Sequence, residues 1–255
     1  RQFQQDVGSC VVQKGQLDSQ CDLAGHIAQS LNRFDRLHQH QCIETKEKVK
    51  QVQAWQRERF QKSHAPLLND RVKRDAICFL FSEVYGGVDL SPVARDIRRA
   101  YPLAMKIFSE NVMRTASLAL ELNALTAELD EQVASILFSH SRSARKEIDL
   151  ASYLQAFQMA SSLDIRLHQL KLAENLLASI DRYINSRVIF GAFKLARGPA
   201  KAADLIHLYQ FMERGFTILR PLDSPSRFMA DIFAKEKLYM QSIFAGQLSP
   251  YESVA

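Results

Sequence analysis

Glycine and proline are scarce in this chain, nine and seven of 255 residues. Both punctuate turns, so their rarity argues against a turn-dense fold and for long helices with short links. No segment alternates Val, Ile or Thr with polar residues in the way a half-buried strand requires, and no strand is expected. No apolar run reaches the roughly 18 residues of a membrane span. The first ten residues, RQFQQDVGSC, lack the apolar centre of a signal peptide. Cys10, Cys21, Cys42 and Cys78 include no Cys-x-x-Cys pair, and a chain of this length buries a core without disulfides. They are read as four free thiols in a reducing cytoplasm, with Cys78 in the core. The chain has no Gly-rich nucleotide loop, no Ser-His-Asp spacing cue, no zinc finger and no Glu-x-x-His of the di-iron bundles. A net charge of +5 is mild. It permits an acidic partner and argues against nucleic acid, which would want a stronger basic bias.

What the chain does contain is helical periodicity. At 47% hydrophobic, it has material for one large core or two small ones. From Asp22 to about Gln61 the positions Leu23, Ile27, Leu31, Phe34, His38, Cys42, Thr45, Val49, Val52 and Trp55 form one stripe. They predict a long N-terminal helix after a loose leader, and the proline-containing SHAPLLND (63–70) ends it. Asn69 or Asp70 should cap a helix that stops at Gly86-Gly87. Ser91 and Pro92 should open the next, with Pro102 kinking or ending it. A central helix is expected over about 111–138, then a polar link (139–147) and helices at about 147–160 and 162–186. A short basic helix, one at about 199–219 and a last one opened by Ser224-Pro225 and closed by Gly246 complete the chain. The fold class is all-α: a multi-helix bundle of seven to nine helices. Two regions are expected, a leader plus long helix (1–65) and a bundle domain (66–255).

The stretch CFLFSEVYGGVDLSPVARDIRRAYP (78–102) resembles the signature of the bacterial FFLEELY motif proteins. The matching residues are Phe79, Leu80, Glu83, Tyr85, Gly86, Asp89, Arg95, Asp96 and Pro102. Ser82 and Val84 depart from it, where the family name has Glu and Leu. ALELNALTAELD (119–130) and KLARGPAKAADLIHLYQFMERGF (194–216) are similar to the same family. The resemblance implies a helical, cytosolic protein of Gram-negative bacteria, and it implies no established catalytic residue.

Several sites are candidates for chemistry. Glu83, Tyr85, Arg95 and Asp96 could form a polar cluster that anchors a ligand. The structural alternative is an ion pair fixing the turn, with Phe79 and Leu80 in the core and Arg95, Arg98 or Arg99 folding back on Glu83. Glu121 and Glu128, seven apart, share a helix face and could act as paired carboxylates or belong to a solvated stripe. His38 and Cys42 could face one metal, but two ligands fall short of a zinc site. His168 and His207 could each be an axial haem ligand. In RVIFGAFKLARGPAKAAD (187–204), Arg187, Lys194, Arg197 and Lys201 meet no acid before Asp204. There Lys194, Arg197, Gly198 and Lys201 could bind an anion at a helix start through the N–H groups of Ala200, Lys201 and Ala202, or meet an anionic membrane surface. An ordinary solvated helix corner is the plainer alternative.

The function expected from these features is non-enzymatic. It is a binding protein that engages a protein partner or a second copy through residues 22–62, or a small anionic or apolar ligand in the bundle. The competing expectation is a haem- or metal-dependent enzyme or redox protein. No cofactor is named by the sequence, and the expected location is cytoplasmic or peripheral to a membrane.

Overall fold

The computed structural model describes residues 23, 25–33, 35–36, 42–84, 90–107, 110–139 and 147–251, with backbone alone for 83–84 and 103–107. Among them there are eleven α-helical segments and no strand. The first is the helical stretch formed by residues 23, 25–33 and 35–36. The others are α1 (Ile43–Ser63), α2 (Arg71–Phe79), α3 (Ser91–Ile107), α4 (Glu110–Leu137), α5 (Leu150–Ala160), α6 (Leu163–Ile184), α7 (Arg187–Leu195), α8 (Arg197–Ala202), α9 (Ile206–Leu219) and α10 (Pro225–Phe244).

The count exceeds the expected seven to nine because two expected helices are each divided. The long N-terminal helix is not continuous: Cys42 is extended (φ −67°, ψ 161°) and opens α1. The helix expected over 199–219 is cut at Asp204, whose φ is +57°, into α8 and α9. Of the two outcomes expected at Pro102, a kink or a stop, the stop does not occur: α3 runs through it. The missing N–H forfeits one bond, and packing of Ala94, Ile97 and Tyr101 on the N-terminal stretch outweighs that loss.

Where a helix start depends on a side chain of its own segment, the expectation matches. Asp70 accepts from the Lys73 N–H, and Ser224 accepts from the Arg227 N–H ahead of Pro225. Asp149, Ser162 and Ser186 cap α5, α6 and α7 in the same way. Gly246 takes φ +81° just beyond α10, a left-handed conformation that glycine adopts without a Cβ clash.

Helix α4 is central, as its wide apolar face predicts: α1, α5 and α6 all pack on it, and α10 lies along α6. The apolar interior falls into parts. One core gathers Phe60, Ile77, Phe79, Leu80, Leu122, Leu176, Phe216 and Phe233. A second joins Val52, Val133, Tyr153, Phe157 and Ile243. A third seats Leu23, Ile27 and Leu31 against Ala94, Met113 and Leu120. Leu23, Ile27, Leu31 and Val52 of the predicted stripe are thus buried within the chain, and α1, assigned by sequence to a region outside the bundle, supplies Val52 and Phe60 to its cores.

Cys78 is exposed, contrary to the expectation that it is core. Helical geometry explains this. Arg71, Arg74, Asp75 and Cys78 are exposed at i, i+3, i+4 and i+7, while Ala76, Ile77 and Phe79 face inward.

Candidate functional site

Between the first two cores lies a partly open cavity of about 110 Å³. Five helices line it, each with residues three or four apart, so each presents one face. Helix α1 gives Gln53, Gln56, Arg57, Arg59 and Phe60, and Phe81 just beyond α2 joins them; α4 gives Thr126 and Asp130; α5 gives Tyr153 and Phe157. Helix α6 contributes Arg166, Gln169 and Leu170, and α10 contributes Met229, Ile232, Phe233, Glu236 and Met240. The lining therefore mixes apolar and aromatic side chains with polar groups that are rare in a bundle interior.

Glu236 is the compensated member. It accepts two bonds from Arg59 Nη1, at 2.6 and 2.8 Å, and its Oε1 lies 2.8 Å from His64 Nε2. Burial opposes its ionisation, but the Arg59 guanidinium and the His64 ring together outweigh burial and hold the carboxyl below its ordinary pKa. Burial likewise works against the charge on Arg59, and Glu236 overcomes it, raising the arginine above its usual value.

Asp130 is different. It is 3% exposed and accepts from Gln53 Nε2 at 3.1 Å. Burial dominates and pushes its pKa up to about 6, against the opposing pull of Gln53 and Arg166. Asp130 is therefore poised to exchange a proton near neutrality, the behaviour common at functional sites.

Arg166 is the most deeply buried cation without a facing carboxylate. It is 3% exposed and lies over the Phe157 ring at 4.0 Å. Its Nε donates to Ser161 Oγ at 2.9 Å and its Nη1 to Gln169 Oε1 at 3.4 Å. Its Nη2 is buried without a hydrogen-bond partner, a state that costs about 1–3 kcal/mol. Burial pulls its pKa below the ordinary arginine value, and Tyr153 and Asp130 act against that pull. Gln169 also donates to Thr126 at 2.9 Å, and Gln56 donates to the Tyr153 hydroxyl at 3.2 Å. With Glu236 neutralised by Arg59, the charges left over the cavity are Arg57 and Arg166 against Asp130. The arrangement favours an anion beside an aromatic wall.

None of the candidate site residues named from sequence lines this chamber, although Phe81 of the 78–102 stretch does. Asp96, 2% exposed, accepts from the Leu208 N–H at 2.9 Å. It caps α9 from another helix, where the N-cap Leu205 offers no side-chain bond of its own. Arg95 is exposed, and Arg98 and Arg99 pair with Asp35 and Asp204. Tyr85 and the side chain of Glu83 lie outside the described residues. Phe79 and Leu80 are core, as expected. Glu128 is gripped by Arg33 through two bonds, at 2.8 and 2.5 Å, and Glu121 lies 3.5 Å from His168.

His207 sits 3.5 Å from Asp96, and both histidines are about half exposed at the surface. Cys42 is exposed with Thr45 Oγ1 at 3.2 Å, while His38 lies outside the described residues. No group of three or more His, Cys, Asp or Glu that could hold a metal occurs among the described residues. At the anion corner, Lys194 lies over the Phe190 ring at 4.7 Å. The Ala200 N–H, expected to be free, already donates to Ala196 O at 2.8 Å. The chain passes from α7 into α8 through a helical Ala196, so that donor is taken; Arg197, Gly198 and Lys201 are exposed.

The chamber left a trace that the sequence reading missed. Thr126 and Asp130, Arg166 and Gln169, and Glu236 are polar residues on otherwise apolar helix faces.

Fold and site together define an all-helical bundle with a small polar chamber at the junction of its cores. The chain belongs to the family described as Domain of unknown function (DUF8198), whose model matches residues 35–250. No curated protein and no solved structure matches it.

Proposed function

We propose that this is a non-enzymatic binding protein that takes a small anionic ligand into the chamber of its bundle. The observation that carries the reading is Arg166: a nearly fully buried guanidinium, lining a cavity, with one nitrogen unpartnered. A carboxylate or similar oxyanion would satisfy that nitrogen with a charge-assisted bond. Phe157, Leu170 and Met229 would cover a short apolar body. The size fits only a few non-hydrogen atoms, because 110 Å³ is well below the roughly 300–1,000 Å³ of drug-sized sites.

This reading keeps the ligand in the bundle, as expected, and gives the basic corner no part in holding it. It also sets the chamber ahead of a partner reached through residues 22–62, whose apolar stripe supplies Leu23, Ile27, Leu31 and Val52 to the chain's own cores. The likeness of residues 78–102 to the bacterial FFLEELY motif proteins, and the cytoplasmic location it implies, belong to the same proposal.

The test is titration calorimetry of the full chain at low salt with formate, acetate, propionate and inorganic phosphate, beside Arg166→Gln. At least one probe should bind wild type and bind the variant at least about tenfold more weakly, as expected for loss of a charge-assisted bond. No binding by any probe, or equal binding to both proteins, would overturn the proposal. A Soret band or a stoichiometric metal in the purified protein would overturn it in favour of a haem- or metal-dependent enzyme.

A further inference from the structure

Helix α7 takes no part in the chamber and is apolar on two opposite faces. Its inner face is locked down. Phe193 stacks on Tyr209 at 4.5 Å and meets Phe216 at 5.0 Å, and Phe190 meets Phe216 at 5.6 Å. Ser186 caps the helix, accepting from the Ile189 N–H at 3.2 Å. The outer face carries Val188 and Leu195, each 82% exposed. They are seven residues apart, which places them on one line two turns long. Gly191 and Ala192, also exposed, lie along the same face and add no charge.

Cations edge that face. Arg187, Lys194, Arg197 and Lys201 are exposed, and residues 187–203 contain no acid. The next acid, Asp204, is held by Arg99, so it does not neutralise them.

We propose that the outer face of α7, with the start of α8, docks on an anionic bilayer surface. An interfacial helix needs branched apolar side chains that enter the headgroup boundary and basic residues that meet lipid phosphates, and this face offers both. The lysine and arginine stems can lie along the apolar surface while their charges stay at headgroup level. Two large apolar side chains are few beside the roughly 800 Å² per partner of a stable protein interface. Single-stranded nucleic acid would want aromatic rings to stack on, and both phenylalanines of α7 are turned inward. Because α7 is already folded and braced by Phe190 and Phe193, docking requires no helix formation. It rests on observations independent of the chamber.

The test is flotation of the full chain with vesicles of phosphatidylcholine alone, or with about one-third phosphatidylglycerol, at low and high salt. Two variants accompany it, Val188→Asp/Leu195→Asp and Arg197→Glu/Lys201→Glu. All four positions are exposed, and thermal melts check that both variants stay folded. Wild type should float with the anionic vesicles only and be released by high salt. Each variant should bind at least about tenfold more weakly, since each cation near such a surface contributes about 1 kcal/mol. Absence of binding at low salt would overturn the proposal. So would undiminished binding by the aspartate variant, which would place adsorption elsewhere. A concentration-dependent dimer that the aspartate variant disperses, without vesicle binding by wild type, would make the face a self-interface and also overturn it.

Discussion

Replacing Asp130 by Asn should make the ligand-free protein more stable at neutral pH and leave it unchanged in acid. The reasoning starts from burial. Asp130 is 3% exposed, and its pKa rises from an ordinary 3.8 to about 6. Between those values the folded chain retains a proton that the unfolded chain has released. Stability therefore falls as pH rises through that window, and the loss is complete above it. At about 1.36 kcal/mol per pH unit, ionised Asp130 costs the fold about 3 kcal/mol at neutral pH. Asparagine keeps an oxygen for the bond from Gln53 Nε2 and carries no charge, so it should recover most of that amount. Urea unfolding of both proteins at about pH 3.5, 5 and 7.5 would measure it: the two curves should coincide at the lowest pH and separate across the window. A less stable variant at neutral pH, or a difference independent of pH, would refute the argument. A carboxylate retained at such a cost is what a functional site shows when activity and stability compete.

Three further outcomes follow from the structure. Glu236→Gln should cost about 3–5 kcal/mol by urea unfolding, because it leaves Arg59 buried without its counter-ion; a cost below about 1 kcal/mol would show that water reaches the pair. Since Glu236 is held below its ordinary pKa, its contribution should be present above about pH 4.5 and lost as pH falls through the lower folded value. Phe79→Ala should cost about 3–5 kcal/mol, as the ring is 6% exposed and packs 3.4 Å from where a Cβ on Gly215 would stand; a near-neutral melt would contradict its place in the core.

Much of the fold was legible because it is local. Asp70 and Ser224 cap helices through bonds to N–H groups three residues on, so the start is written in adjacent residues. The exposure of Cys78 is local as well: the period of 3.6 puts it on the side of Arg71 and Arg74, away from Ile77 and Phe79. Cys42 and Asp204 break helices with no proline or glycine of their own, so no local signal announced them.

By itself, then, the sequence determined that this chain is a bundle of helices, where several begin, and which faces are apolar. Those properties depend on residues within a turn or two of one another. Only the tertiary structure decided where the polar residues on those faces meet. Gln53, Asp130, Arg166 and Glu236 come from four helices spread over most of the chain, and nothing in their spacing ties them together. Packing brings them around one cavity. Burial then lifts Asp130 toward neutrality, pairs Glu236 with Arg59 and leaves a nitrogen of Arg166 unpartnered. The same local order makes α7 helical, but only the docking of Phe190 and Phe193 on Tyr209 and Phe216 turns Val188 and Leu195 outward. A charge or an apolar side chain acquires its chemistry from what surrounds it, and in this chain those surroundings are assembled from distant segments.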